Sequence, residues 1–296
     1  MLVKEMIDFI IIGSMKSGTT TLNEYLDGCD EIEMCHPKEP QFFSRYYDKG
    51  FNYFDSLFSN DNRIKGEAST CYSRFPEYKD VPERIFNYNP DIKLIYILRN
   101  PIERAYSHYS HNVITDNIQY KSFEEAIEVS NEVVSASKYM MQIEQYLKYF
   151  KESQLLLLDF DELKDNPRKV INDVLLFVGG KSINKDKKLK RNIDTNAAGS
   201  AVSYLKFTSA ILFIRKLPVI KGMVNFLIPE KNRTQLRKKM VSMIMKTPLL
   251  KMYQRKQIKN LSPMTEYTKK KLLEELEADI IKLERFWKKD LSKWKD

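Results

Sequence analysis

The sequence is short of the residues and runs that define several classes of protein. It has three cysteines, Cys29, Cys35 and Cys71. An odd number without metal-ligand spacing argues against a disulfide framework or a zinc site, and for reduced thiols in a cytosolic compartment. No stretch reaches the roughly 18 uncharged apolar residues of a spanning helix. Met1 to Met6 leads straight into a short apolar run closed by Gly13, without the longer apolar region and small-residue cleavage site of a signal peptide. Histidine is confined to His36, His108 and His111, which limits imidazole chemistry to those positions. There is no internal repeat, so a solenoid is not expected.

What is present describes an ordinary globular chain with a basic surface. The 296 residues suit one large domain with an appendage, since single cores stop growing at about 250 to 300 residues. A hydrophobic fraction of 43% and a charged fraction of 30% indicate neither disorder nor a fibre. Lys plus Arg number 49 against 40 Asp plus Glu, a formal net charge of +9. That excess favours polyanionic partners: a nucleotide with several phosphates, an acidic glycan, nucleic acid or an anionic membrane surface.

Short apolar runs alternate with helical signals. Ile7 to Ile12, closed by Gly13, has the continuous apolar pattern of a strand buried on both faces. Arg63 to Glu67, Lys93 to Leu98 and Gln154 to Asp159 repeat it. Thr19 to Leu26 reads as a helix. Pro101 suits a first helical turn, and Asn166, Pro167 and Gly179 supply an N-cap, a first residue and a stop. Ser122-Phe123-Glu124-Glu125 is a capping-box pattern. Ser262-Pro263 opens a last helix running to about Trp287. Strands alternating with helices predict an α/β fold with a mainly parallel central sheet flanked by helices, plus a helical C-terminal region.

The most informative segment is the loop Gly13-Ser14-Met15-Lys16-Ser17-Gly18-Thr19-Thr20-Thr21 between the first strand and the first helix. Exposed amides at the positive end of a helix bind anions. Gly13 and Gly18 let backbone approach a phosphate, the threonines add hydroxyls, and Lys16 adds a mobile charge. A Walker A loop places its lysine directly after the second glycine. Here that position is Thr19 and the lysine lies inside the loop, which argues against an ATP hydrolase.

Lys16-Ser17-Gly18-Thr19-Thr20-Thr21-Leu22 resembles the 5′-phosphosulfate loop of sulfotransferases that use 3′-phosphoadenosine 5′-phosphosulfate (PAPS). The run Leu94 to Tyr109 is similar to the strand and helix with which that family grips the 3′-phosphate. The resemblance implies nucleotide contacts from Lys16, Ser17, Gly18, Thr19, Thr20 and Thr21 at one end and from Arg99 and Ser107 at the other. Arg104 is open between a phosphate contact and an anchor for its helix. Leu157 to Pro167 and Asp290 to Trp294 also resemble family segments.

The resemblance implies in-line transfer of SO₃ to an acceptor hydroxyl or amine, leaving adenosine 3′,5′-bisphosphate, with no metal required. Lys16 is the candidate for stabilising charge on the bridging oxygen. Pro37-Lys38-Glu39-Pro40-Gln41-Phe42-Phe43 resembles a glycan-branch segment whose glutamate is the base, so Glu39 is the candidate base. The alternative is a loop glutamate that merely pairs with Lys38, or a base drawn from the histidines. Glu67-Ala68-Ser69-Thr70-Cys71-Tyr72 is similar to a segment that carries a second lysine, here replaced by Ala68.

The expected organisation is one domain, 1–296, with a nucleotide-binding core at 7–180, a basic and apolar acceptor or lid region at 181–262, and a C-terminal helix at 263–296. Arg191 to Ser203 lies where bacterial members place a loop over the nucleotide. Residues 204–228 interleave Lys206, Arg215, Lys216 and Lys221 with apolar residues. They suit a packed or lid helix, or a peripheral membrane contact. Expected partners are PAPS and a saccharide, lipid-linked or small-molecule acceptor, without nucleic acid, in the cytoplasm. Two rivals stand beside this reading: a P-loop kinase or NTPase, and a non-catalytic nucleotide- or nucleic-acid-binding protein.

Overall fold

Five short strands, of which the first and fourth are almost wholly apolar and buried, build a sheet in the computed structural model, which describes residues 6–115, 120, 122–183, 189 and 263–295. They are β1 (Phe9–Gly13), β2 (Ile32–Met34), β3 (Ile64–Ala68), β4 (Lys93–Leu98) and β5 (Leu155–Asp159), in the order β2-β3-β1-β4-β5. All four pairings are parallel. Because side chains alternate between faces, Phe9 and Ile11 of β1 join Ile95 and Ile97 of β4 on one side. There they meet Leu22 and Leu26 of α1 (Thr19–Asp27) and, on a later helix, Val170, Ile171, Val174 and Leu175. Ile10, Ile12, Leu94 and Tyr96 are buried on the other face.

The chain enters at the middle of the sheet. From β1 it runs through α1 to β2 at one edge and returns to β3. It then crosses to β4 on the far side of β1 and continues to β5. The connections leaving β1 and β4 therefore diverge, and the space beyond such diverging strand ends is the usual ligand position in open parallel sheets.

Further short helices follow in chain order: α2 (Phe42–Arg45), α3 (Phe51–Asp55), α4 (Val81–Tyr88), α5 (Pro101–Thr115), α6 (Phe123–Val129), α7 (Asn131–Ser135), α8 (Tyr139–Tyr146), α9 (Phe160–Asp165) and α10 (Pro167–Val178). The C-terminal helix spans Glu266–Trp287. Several signals act as their chemistry predicts. Asn166 accepts from the Lys169 N–H, Pro167 opens α10, and Gly179 ends it in a left-handed conformation. Ser122 accepts from the Glu125 N–H.

Other boundaries move. β2 has only three residues, too few to show a period. Gln154 lies in a 3-10 turn, its side-chain amide donating to Pro90 and Ile92 carbonyls. The last helix starts later than Ser262-Pro263, because Thr265 caps it by accepting from the Thr268 N–H at 3.1 Å.

The chain divides into two compact units. One comprises Met1–His108, Ile127–Ile193 and Thr265–Asp296, and holds the sheet; the other comprises Tyr109–Ala126 and Asp194–Met264. In the second, the Tyr109 and Phe123 rings lie 5.3 Å apart. Residues 191–203 and 204–228, for which loop, lid and membrane roles are expected, lie outside the described residues. No described helix is long and apolar enough to cross a membrane.

Candidate functional site

The loop leaving β1 is pinned to β4. The Ser14 N–H and hydroxyl both donate to the Ile97 carbonyl, at 2.9 and 3.0 Å. The Ser17 hydroxyl lies 2.6 Å from that of Ser14, and the Ser17 N–H donates to the Ser14 carbonyl. Since the Ser14 proton is spent on Ile97, Ser17 is the donor in the hydroxyl pair. Ser17, expected to touch the nucleotide, thus has both donors turned inward, and it is fully buried.

Gly18 is the N-cap of α1 at φ 86°, with no side-chain cap and no acidic residue in the first turn. A β-carbon there would sit 2.9 Å from the Phe160 ring. Leu22 N–H already bonds to the Gly18 carbonyl, so the Thr19, Thr20 and Thr21 N–H groups have no intrahelical acceptor. Thr19 is buried, Thr21 half-buried and Thr20 exposed.

Lys16 is held at φ 71°, a left-handed conformation costing a non-glycine residue about 1 to 2 kcal/mol. Burial first, and then the Arg99 guanidinium, pull its ammonium from 10.5 down to about 8. No carboxylate pairs with it among the described residues. The Arg99 Nη1 is 3.4 Å from the Lys16 carbonyl, and its guanidinium lies 5.0 Å over the Phe160 ring. Phe160 therefore supports both the loop and the arginine, a role no sequence pattern announced.

Arg99 stands at the exit of β4 and pairs with Glu103 at 2.8 Å. Glu103 and Ser107 are four residues apart on α5, hence on one face; Ser107 is half-buried there. The neighbouring row, Arg104 and His108, faces the interior. Arg104 donates to the Ser137 hydroxyl at 2.8 Å and to the Val133 carbonyl. It is fully buried and anchors the helix. His108 Nε2 lies 3.1 Å from Glu132, and burial drives its pKa down to about 4. A sealed, neutral imidazole is no acceptor-side base. His36 is exposed and bonded to Asp27, and His111 is half-buried on α5.

Glu39 emerges from the loop after β2 at φ 61°. Its N–H donates to the Ala68 carbonyl at 3.1 Å. Its carboxylate accepts from the Thr70 N–H at 2.9 Å and pairs with Lys38 at 2.7 Å. The Lys38 pairing expected as an alternative is thus real, but the carboxylate is also fixed by backbone and only half-buried. Glu67 is fully buried, and burial lifts its carboxyl to about 8. Burial likewise pushes the free Cys35 and Cys71 thiols up to about 12, which leaves them inert at neutral pH.

The arrangement offers a desolvated lysine, an arginine fork and an uncapped helix start at adjacent strand ends, with a fixed carboxylate on the loop after β2. A sulfotransferase from Alicyclobacillus acidocaldarius has the same fold, with a TM-score of 0.56, 24% identity, and coverage of 75% of this chain and 96% of that one. The bifunctional heparan sulfate N-deacetylase/N-sulfotransferase 1 of Caenorhabditis elegans is 28% identical over 188 residues, 58% of this chain and 22% of its own. The human heparan sulfate glucosamine 3-O-sulfotransferase 6 is 28% identical over 187 residues, 60% of this chain and 54% of its own. The chain thus spans between about a fifth and about half of the length of these relatives. The sulfotransferase domain profile matches residues 6–197. That match takes in the Lys16 loop, the Glu39 loop and the Arg99 strand end together, and the chain belongs to the sulfotransferase domain family.

Proposed function

We propose that the chain transfers a sulfuryl group from PAPS to a hydroxyl or amine of an acceptor, a saccharide or glycolipid in preference, and releases adenosine 3′,5′-bisphosphate. The observation that carries this reading is Lys16 beside Arg99 at the ends of adjacent strands, over a helix start without a cap. The Lys16 ammonium, desolvated by burial and without a carboxylate partner among the described residues, gains from an anion brought against it. Thr19, Thr20 and Thr21 offer N–H groups and hydroxyls to a 5′-phosphate, and Gly18 allows its approach. Arg99 and Ser107 hold the 3′-phosphate.

As the acceptor oxygen or nitrogen bonds to sulfur, the bond from sulfur to the 5′-phosphate oxygen breaks. The acceptor proton passes to Glu39, and the charge left on the phosphate lies against Lys16. The relatives' names speak of heparan sulfate, and the net charge of +9 suits an acidic glycan; both support a saccharide acceptor.

Calorimetry should show tighter binding of adenosine 3′,5′-bisphosphate than of ATP with Mg²⁺. With labelled PAPS and a glycan and lipid panel, Lys16→Ala should lose turnover. Glu39→Gln should keep bisphosphate affinity while turnover falls about 10²- to 10⁴-fold. Preference for ATP with Mg²⁺ favours the kinase reading, and turnover retained in Glu39→Gln removes Glu39 as base.

A further inference from the structure

Resting on that reading, the structure raises the question of what keeps Glu39 aimed. Glu39 and Gln41 both adopt left-handed conformations, φ 61° and 52°, on either side of Pro40. Each such residue costs free energy that the surroundings must offset. The offset comes from the three residues leaving β3. Ala68 accepts the Glu39 N–H, Thr70 donates to the Glu39 carboxylate, and the Ser69 hydroxyl oxygen accepts the Gln41 N–H at 3.1 Å.

Ser69 is itself oriented. Its hydroxyl donates to Glu67 Oε2 at 2.9 Å, and Glu67, two residues back along the strand, faces the same side. Ser69 and Glu67 are both fully buried, and the second Glu67 oxygen makes no hydrogen bond within 3.5 Å among the described residues.

We infer that Ser69, aligned by Glu67, is a positioning residue for the Glu39 base: it holds the Gln41 amide and so locks the strained 39–41 turn. The chain of donors runs from the Gln41 N–H to Ser69, and from the Ser69 hydroxyl to Glu67. Burial keeps Glu67 a neutral acid at pH 7, so it accepts from Ser69 without setting a second anion beside Glu39. A side chain at position 69 that accepts but cannot also donate, or does neither, breaks the relay. Threonine preserves it.

Ser69→Ala and Ser69→Thr separate this role from simple support. Amide hydrogen exchange reads the positioning directly. Gln41 should exchange at least tenfold faster in Ser69→Ala and at the original rate in Ser69→Thr. Turnover reads its use: kcat should fall ten- to hundredfold in Ser69→Ala and recover in Ser69→Thr, with adenosine 3′,5′-bisphosphate affinity within twofold throughout. Unchanged Gln41 exchange overturns the inference whatever the activity. So does fast exchange with full kcat, and so does a Ser69→Ala chain that fails to fold or loses nucleotide in proportion, which marks a structural residue. Absence of sulfuryl transfer by the unaltered chain, with the exchange effect intact, removes the proposed function and leaves the positioning standing.

Discussion

A lysine set beside an arginine in a half-buried loop keeps its proton only at a cost, and Lys16 shows that cost as a fall from 10.5 to about 8. A phosphate bound against Lys16 restores the proton. Bisphosphate affinity should therefore be flat below pH 8 and decline above it, by up to about tenfold per pH unit, as the free protein loses the charge that the complex needs. Calorimetry from pH 7 to 9.5 checks this, and Lys16→Arg should remove the bend, since guanidinium does not titrate there. A bend that persists in Lys16→Arg belongs to another group. The residue types of this site were legible in the sequence, because Lys16 and Arg99 occur in recognisable local strings. The inward turn of Ser17 was not, since the Ile97 carbonyl that consumes the Ser14 proton comes from a strand 83 positions away.

Elements show the same division. β4 and the caps of α10 are set by local chemistry, and both lie where their residues predict. β2 is too short for periodicity. α8 has no cap of its own. The bend after β1 depends on a distant surface: a β-carbon on Gly13 would fall 2.1 Å from the buried Ser73 hydroxyl. Gly13→Ala should therefore cost about 1 to 3 kcal/mol by overpacking and weaken bisphosphate binding at least tenfold. At Gly179, also left-handed, nothing lies within 4 Å of the added carbon. Gly179→Ala should cost about 1 to 2 kcal/mol and leave affinity unchanged. Urea midpoints and nucleotide titrations on the two variants test the contrast; equal losses of affinity would mean that the loop does not read its underside.

At the scale of the sheet-bearing unit, the C-terminal helix supplies what α8 lacks. The two Asp279 oxygens accept the Met140 and Met141 N–H groups, each at 2.9 Å. Asp279→Ala strands two donors at a part-buried helix start and should cost roughly 2 kcal/mol or more. Lys282→Ala, which breaks an exposed pair with Glu144 and removes a charge near Asp279 without touching its two backbone bonds, should move the urea midpoint far less. Tyr139, at the first turn of the same helix, donates to the Arg99 carbonyl, so loosening α8 should also lower nucleotide affinity.

By itself the sequence determined the parallel α/β class, the loop with its displaced lysine and the strand-end arginine, because each is written in residues adjacent along the chain. Only the tertiary structure decided that Arg104 and His108 turn inward, that Glu39 is clamped by the exit of β3, and that Phe160 supports both the loop at Gly18 and Arg99. Those outcomes depend on groups brought together from distant positions, where burial and a single shared donor or carbonyl settle what a side chain can still offer.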